Sequence, residues 1–234
     1  QRALERFAMR EAINYYQRAL FLHSLLPSGS ASEVTCHEGL GDAYNTLGDF
    51  EAAYQHFRLA YGILHTRPLT KADRRRATDL ARRLGRVCAW RGEHDEAIAW
   101  MREGQRTLGE PEDDEDKAIA ALLHVHTGSV EYNRGNHSQV LLECEQGLAL
   151  AREIERPLPA QAEADNLLGI MAWANGRSQE ALLHYARSRD TWLALGNSYQ
   201  ATRVEGNMGV AYFHLAQWEQ ARVYHTRCKE YWEH

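Results

Sequence analysis

The chain has 234 residues, 44% apolar and 25% charged, with a formal net charge of −5. That length makes one or two domains with a sizeable core. The composition excludes disorder and, with only 5 Pro and 4 Cys, a collagen-like or disulfide-framework class; the negative charge disfavours nucleic acid and membrane surfaces as general partners.

No run of eighteen apolar residues exists; the longest comparable stretch, residues 118–125, stops at eight, so no membrane span is expected. No charged-then-apolar leader follows Gln1, so no signal peptide is expected either. Cys36, Cys88, Cys144 and Cys228 are all more than fifty residues apart. They form no metal knuckle or redox pair and read as small buried hydrophobes in a reducing, cytoplasmic compartment.

In chain order the elements pair off. Residues 1–29 read as the closing helix of an incomplete unit, with Ala12, Tyr16 and Ala19 on its apolar face. Residues 30–67 hold two helices joined at Gly48, opened by the cap pattern Ser30-x-x-Glu33. Residues 68–110 hold two more, opened by Thr70-x-x-Asp73 and joined at Gly92. Residues 111–156, 157–195 and 196–234 repeat the plan, with joints at Gly135, Gly176 and Ala216. Pro27, Pro68, Pro111, Pro157 and Pro159 fall between units, where a missing N–H does no harm. No stretch alternates with period two, so no strand is expected.

A ladder of glycines ties the units together. Gly41, Gly85, Gly128, Gly169 and Gly209 recur at spacings of 44, 43, 41 and 40 residues. Each costs a helix about 1 kcal/mol relative to Ala, so each needs a reason, and close approach of two helix backbones is the expected one. Just before the ladder lie Leu40, Leu84, Thr127, Leu168 and Met208. Twelve residues after it come Ala53, Ala97, Val140, Ala181 and Ala221. Four further on lie Phe57, Met101, Cys144, Tyr185 and His225, then three on Ala60, Gly104, Gly147, Ser188 and Cys228. Each unit is therefore two amphipathic helices with small and large residues in register.

Leu40-Gly41-x-x-Tyr44 followed by Ala53-x-x-x-Phe57-x-x-Ala60 resembles the tetratricopeptide repeat, and the resemblance covers nearly the whole chain. Two features depart from it. The early Trp of the pattern is replaced by His37, Ala81, His124, Asp165 and Glu205, and the period is about 40–44 residues rather than 34. The long period resembles variants in bacterial signalling and regulatory proteins. The resemblance implies an all-α, right-handed solenoid of antiparallel helix pairs, with the first helix of each unit lining a concave groove, and no enzyme.

No catalytic motif is present: no G-x-S-x-G, Walker loop or H-E-x-x-H. Gly39-Leu40-Gly41 lacks the strand and third glycine of a dinucleotide fingerprint. His124 and His126 are about 200° apart on a helix and cannot chelate one metal. No cofactor or metal is expected. Two charge blocks remain. Residues 67–91 carry nine basic residues against Asp73 and Asp79, a net +7, and read as a solvated helix face. Six acids lie in residues 110–116, the last of which favour the start of the next helix. A phosphate- or acid-binding strip, or mutual attraction of the blocks, is the sharper alternative.

With each ladder glycine as position 8, positions 2, 5, 9 and 12 should face the groove. There Glu38 and Asp42 read as an acidic wall, followed by Arg82 and Arg86 with Trp90. Next come Ser129 and Tyr132 with Asn133, then Asn166, Ile170 and Trp173, then Val210 and Phe213 with Asn207 and His214. Tyr132, Trp173 and Phe213 recur at position 12, an aromatic ladder suited to a peptide hot spot, although the same position could pack against the neighbouring unit. The expected partner is a protein or peptide in this groove, with Arg82 and Arg86 holding an acidic side chain or carboxyl terminus. The alternative is a small-ligand-sensing region of a multidomain regulator. The chain reads as a fragment with uncapped ends open to self-association.

Overall fold

The computed structural model describes residues 2–23 and 31–233, as helices joined by short turns and with no strand among the described residues. The expected cap at Ser30 and the punctuation at Pro27 lie outside them. A single helix, α1 (Arg2–His23), precedes five hairpins. These are α2 (Ala31–Leu47) with α3 (Phe50–Leu64), α4 (Lys71–Trp90) with α5 (His94–Leu108), α6 (Asp114–Asn133) with α7 (His137–Arg152), α8 (Pro159–Ala174) with α9 (Ser178–Ala194), and α10 (Ser198–His214) with α11 (Trp218–Glu233). Two compact units divide between Pro111 and Glu112, the first holding α1–α5 and the second α6–α11.

Helix ends follow the local chemistry. Thr70 caps α4 in a reciprocal capping box with Asp73, as its spacing predicts. Asp113 caps α6 by accepting from the backbone of Glu115 and Asp116, so acids of the 110–116 block serve the helix start. Pro159 differs from the sequence reading: it lies inside α8, at its first turn, where its absent N–H is an orphan anyway. The turn glycines Gly48, Gly92, Gly135 and Gly176 all have φ between 75° and 84°. Ala216 holds the same left-handed turn at φ 56°, a strained conformation for a residue with a Cβ.

At four of the five ladder glycines the main reason is a side chain rather than the backbone approach expected. Gly41, Gly85, Gly169 and Gly209 each leave a slot for the register residue of the partner helix. A methyl group at Gly85 would also lie 3.0 Å from the Ala97 carbonyl oxygen, and one at Gly128 would meet nothing closer than 3.4 Å. A methyl group at Gly41 would overlap the Phe57 ring, and one at Gly169 would lie 2.5 Å from Tyr185. At Gly85 and Gly209 the occupants are Met101 and His225, each 2.8 Å away. Backbones do approach closely at another register position, where a methyl on Gly147 would lie 2.8 Å from the Ala121 carbonyl oxygen. Ser188 and Cys228 use that closeness to donate to the carbonyls of Ala162 and Thr202, at 2.6 and 3.3 Å. Ala53, Ala97, Val140, Ala181 and Ala221 are all buried beside the slots. Three of the four free cysteines are buried, and Cys228 is half-buried.

The slots differ in depth, which gives a test. Gly169→Ala should lower stability by about 1–3 kcal/mol through overpacking against Tyr185. Gly128→Ala, where the nearest side chain is 3.4 Å away, should be neutral or stabilising by up to about 1 kcal/mol from helix propensity. Ala216→Gly should raise stability by about 0.5–1 kcal/mol, the left-handed strain relieved less the added chain entropy. Thermal melts of the three variants check all of this.

Candidate functional site

In the first unit the basic block is largely occupied from within. Arg76 donates through Nε and Nη2 to the two carboxylate oxygens of Glu38, both at 2.8 Å, and Nη2 also reaches Thr35 Oγ1 at 2.7 Å. Arg83 Nη1 donates to both Asp42 oxygens at 2.9 and 2.8 Å, while its Nε donates to Asp79 at 2.6 Å. Arg82 Nε donates to Asp79 at 2.9 Å. Arg91 pairs with Glu51 and Glu93. The acidic wall and the basic strip thus bind each other across α2 and α4. Burial pushes the Asp79 carboxyl up, but the guanidinium groups of Arg82 and Arg83 outweigh it and hold the carboxyl below its ordinary value. Arg86 lies 4.9 Å over the Trp90 ring, which in turn packs on Phe50 at 5.3 Å. Trp90 remains 47% exposed.

The second unit carries the aromatic ladder. Tyr132 on α6 is half-buried against the core of α6–α8 and meets His137 edge-on. Trp173 on α8 and Ile170 one turn before it lean on the core of α8–α11. Trp173 also touches His214 on α10, with ring centroids 5.4 Å apart and nearly perpendicular. Phe213 is 57% exposed and stands edge-to-face on Trp218, equally exposed, at 5.0 Å. One connected set of rings, Trp173–His214–Phe213–Trp218, therefore spans two hairpins. Val210 is exposed one turn before Phe213. Ser129 is half-buried and bonded to the Val125 carbonyl, and Asn133 is exposed. Asn166 differs from expectation. It is 6% exposed and accepts from Asn207 Nδ2 at 2.9 Å, because the same position on adjacent first helices brings the two amides together.

Two features escaped the sequence reading. Trp218 opens α11 and lies five residues beyond Phe213, outside the helix whose face was projected. Three of the residues in place of the early Trp form a second feature, each linked to a residue nineteen later on the partner helix. His37 Nδ1 lies 3.0 Å from His56 Nδ1, His124 Nδ1 is 2.7 Å from Glu143, and His184 Nδ1 is 2.9 Å from Asp165. The polar residue repeating at +19 was the available signal. His126 turns the other way, to Glu163 of the next hairpin at 2.8 Å, as the wheel angle from His124 requires.

Cys88, Glu93 and Glu96 bring three potential metal-ligand atoms within 4.8 Å of one another. Glu96 already accepts from the Tyr54 hydroxyl at 2.6 Å, and Glu93 from Arg91 at 2.9 Å. Burial, then the nearby Glu96 and Glu93, pushes the Cys88 thiol up to about 12, which suppresses the thiolate a metal needs. The group reads as structural.

Residues 9–68 and 144–192 match the tetratricopeptide repeat family model. The chain carries tetratricopeptide repeats, and its all-α architecture is a tetratricopeptide-repeat array. Comparison with curated protein sequences finds no match. Among solved structures, BtubC (BKLC) from P. vanneervenii aligns with TM-score 0.65 at 14% identity, over 97% of this chain and 89% of that one. The apo form of the quorum sensor NprR from B. thuringiensis aligns with TM-score 0.63 at 12% identity, over 96% and 71%. Podosopora anserina putative kinesin light chain repeats give 0.55 at 15% identity, over 85% and 94%. These likenesses are of fold. No helix among the described residues is long and apolar enough to cross a membrane.

Arg83→Met removes the guanidinium that bridges Asp79 and Asp42. It should lower stability by about 1–2 kcal/mol at pH 7, above the value of an exposed pair because one carboxylate is left half-buried. A carboxyl held below its ordinary value stabilises the fold above that value, about 3.9, and loses the contribution as pH falls through its lower folded value. The gap between wild type and variant in urea unfolding should therefore be full at pH 7 and close below about pH 4.

Proposed function

We propose that this chain is a non-catalytic scaffold that binds a protein or peptide segment through the first-helix face of its second unit. In this reading it is the repeat arm of a larger regulatory or signalling protein of the cytoplasm. The observation that carries it is the connected aromatic set of Trp173, His214, Phe213 and Trp218, whose outer members are more than half exposed. Monomer surfaces seldom leave two large rings packed edge-to-face and open to water, and aromatic anchors are what interfaces use. Ile170 and Val210 extend the patch with aliphatic surface, and Asn133 and Asn207 carry amides able to meet a peptide backbone. Arg86 over Trp90 in the first unit offers a separate contact of similar chemistry. The arginine–carboxylate pairs around α4 count against polyanion binding, since few of those guanidinium groups face solvent alone.

Trp173 and Phe213 should behave differently despite sharing a register position. Peptides selected from a displayed library on the full chain supply the probe. Phe213→Ala and Trp218→Ala should each weaken a selected peptide by about 2 kcal/mol, some thirtyfold, with Tm moved by no more than about 2 °C. Trp173→Ala should lower both affinity and Tm, because its ring also fills the core of α8–α11. Selected peptides that bind all three variants as tightly as wild type would remove the site. Small metabolites that raise Tm where no peptide is enriched would point instead to ligand sensing.

A further inference from the structure

We infer that the α2–α3 hairpin of the first unit is an acid-sensitive latch, held closed by the uncharged His37–His56 pair. The two Nδ1 atoms lie 3.0 Å apart, with ring centroids at 5.2 Å. Between two nitrogens at that distance there is room for one proton. One imidazole must donate and the other must offer its lone pair, so the rings hold complementary tautomers. A first added proton can go to a remote Nε2 and leave the bond intact. A second removes the only acceptor and sets two cations and two N–H groups against each other.

The surroundings offer little relief. His37 is 9% exposed, and Tyr44 stacks on His56 at 5.5 Å with the rings 5° from parallel. On α2 the facing charge is Glu33, one turn before His37; it favours the imidazolium, but less strongly than burial opposes it. From α1, the Tyr16 ring lies over Gly39 and the Gln17 amide reaches the Tyr44 hydroxyl. From α4, Arg76 is engaged by Glu38 and Thr35. Burial accordingly lowers both imidazoles below the ordinary histidine value, and the His37 charge lowers His56 further. Groups lowered in this way stabilise the fold fully above about pH 6.5 and lose the contribution as pH falls through their folded values.

The same register position in the second unit works with the opposite sign. His124 faces Glu143 and His184 faces Asp165, so a proton there creates an attractive pair. Of these three register pairs, only His37–His56 joins two imidazoles, so only there does a second proton set like charges against each other. Release of α2 has a further consequence, because α2 carries Glu38 and Asp42, the carboxylates that occupy Arg76 and Arg83 of α4. Acid opening would free two guanidinium groups on α4.

Hydrogen exchange of the full chain at pH 7.5 and 5.5, corrected for intrinsic rates, tests this. Protection of residues 31–64 should fall by about tenfold relative to residues 159–194 as the lowered imidazoles are protonated. His56→Gln should shrink the difference, since an amide does not titrate and only the buried His37 ring is left to take up a proton. His56→Glu, which rebuilds the histidine–carboxylate link of the second unit, should reverse it. Equal pH dependence of residues 31–64 in wild type and His56→Gln overturns the latch. So do ring resonances of His37 and His56 that titrate at the ordinary histidine value, a readout that needs no variant to fold.

Discussion

The interlock of a glycine on one helix with a bulky side chain on its partner fixes almost everything else in this molecule. Phe57 in the slot of Gly41 and Tyr185 in that of Gly169 leave no freedom for either helix to rotate about its axis. With rotation fixed, each remaining register position has an assigned neighbour. The fourth position meets the residue nineteen later, Ser188 and Cys228 reach the opposite backbone, and the twelfth position comes out near the turn. A rotation of a few tens of degrees would break all of these contacts together, which is why the slot depth controls the stability of a whole hairpin.

This constraint also explains what the sequence disclosed. Small residues such as Ala53, Ala97 and Ala181 and the turn glycines recur because sterics admit few alternatives there, and sterics repeat with the chain. Ion pairs are less legible. Arg82 and Arg86 were projected into the groove, yet Arg76 and Arg83 are the residues that reach the acids of α2. Successive helix positions differ by 100°, so a long, flexible side chain can serve either of two faces, and a wheel drawn from sequence cannot choose between them. The aromatic ladder was legible as a recurrence but not as a burial. Tyr132 and Trp173 each lean on a core, whereas Phe213 does not, and that difference depends on neighbours no single-helix pattern contains.

The two units apply one scaffold to different electrostatics. In the first, arginines bridge successive first helices through carboxylates; in the second, His126–Glu163 and Asn207–Asn166 make the equivalent links. Bidentate arginine pairs are geometrically demanding and stay charged at any ordinary pH. Histidine and amide links hold the same spacing in the second unit. The exposed rings of Phe213 and Trp218 present apolar surface that a partner can cover without itself stripping water from an ion.

Half-burial gives those rings a further property. Trp173 is anchored by the core beneath it and by His214 beside it, so its conformational entropy is already lost before a partner arrives. Phe213 and Trp218 restrain each other through their edge-to-face contact and keep most of their surface open. Under the proposed function, a partner docking there would meet rings already placed, and a placed ring loses less entropy on binding than a mobile side chain that must first be ordered. The repeat architecture thus contributes more than a platform. By fixing helix rotation from below, the glycine slots set how far each aromatic stands out, and so divide one recurring position into half-buried rings in α6 and α8 and an exposed ring in α10.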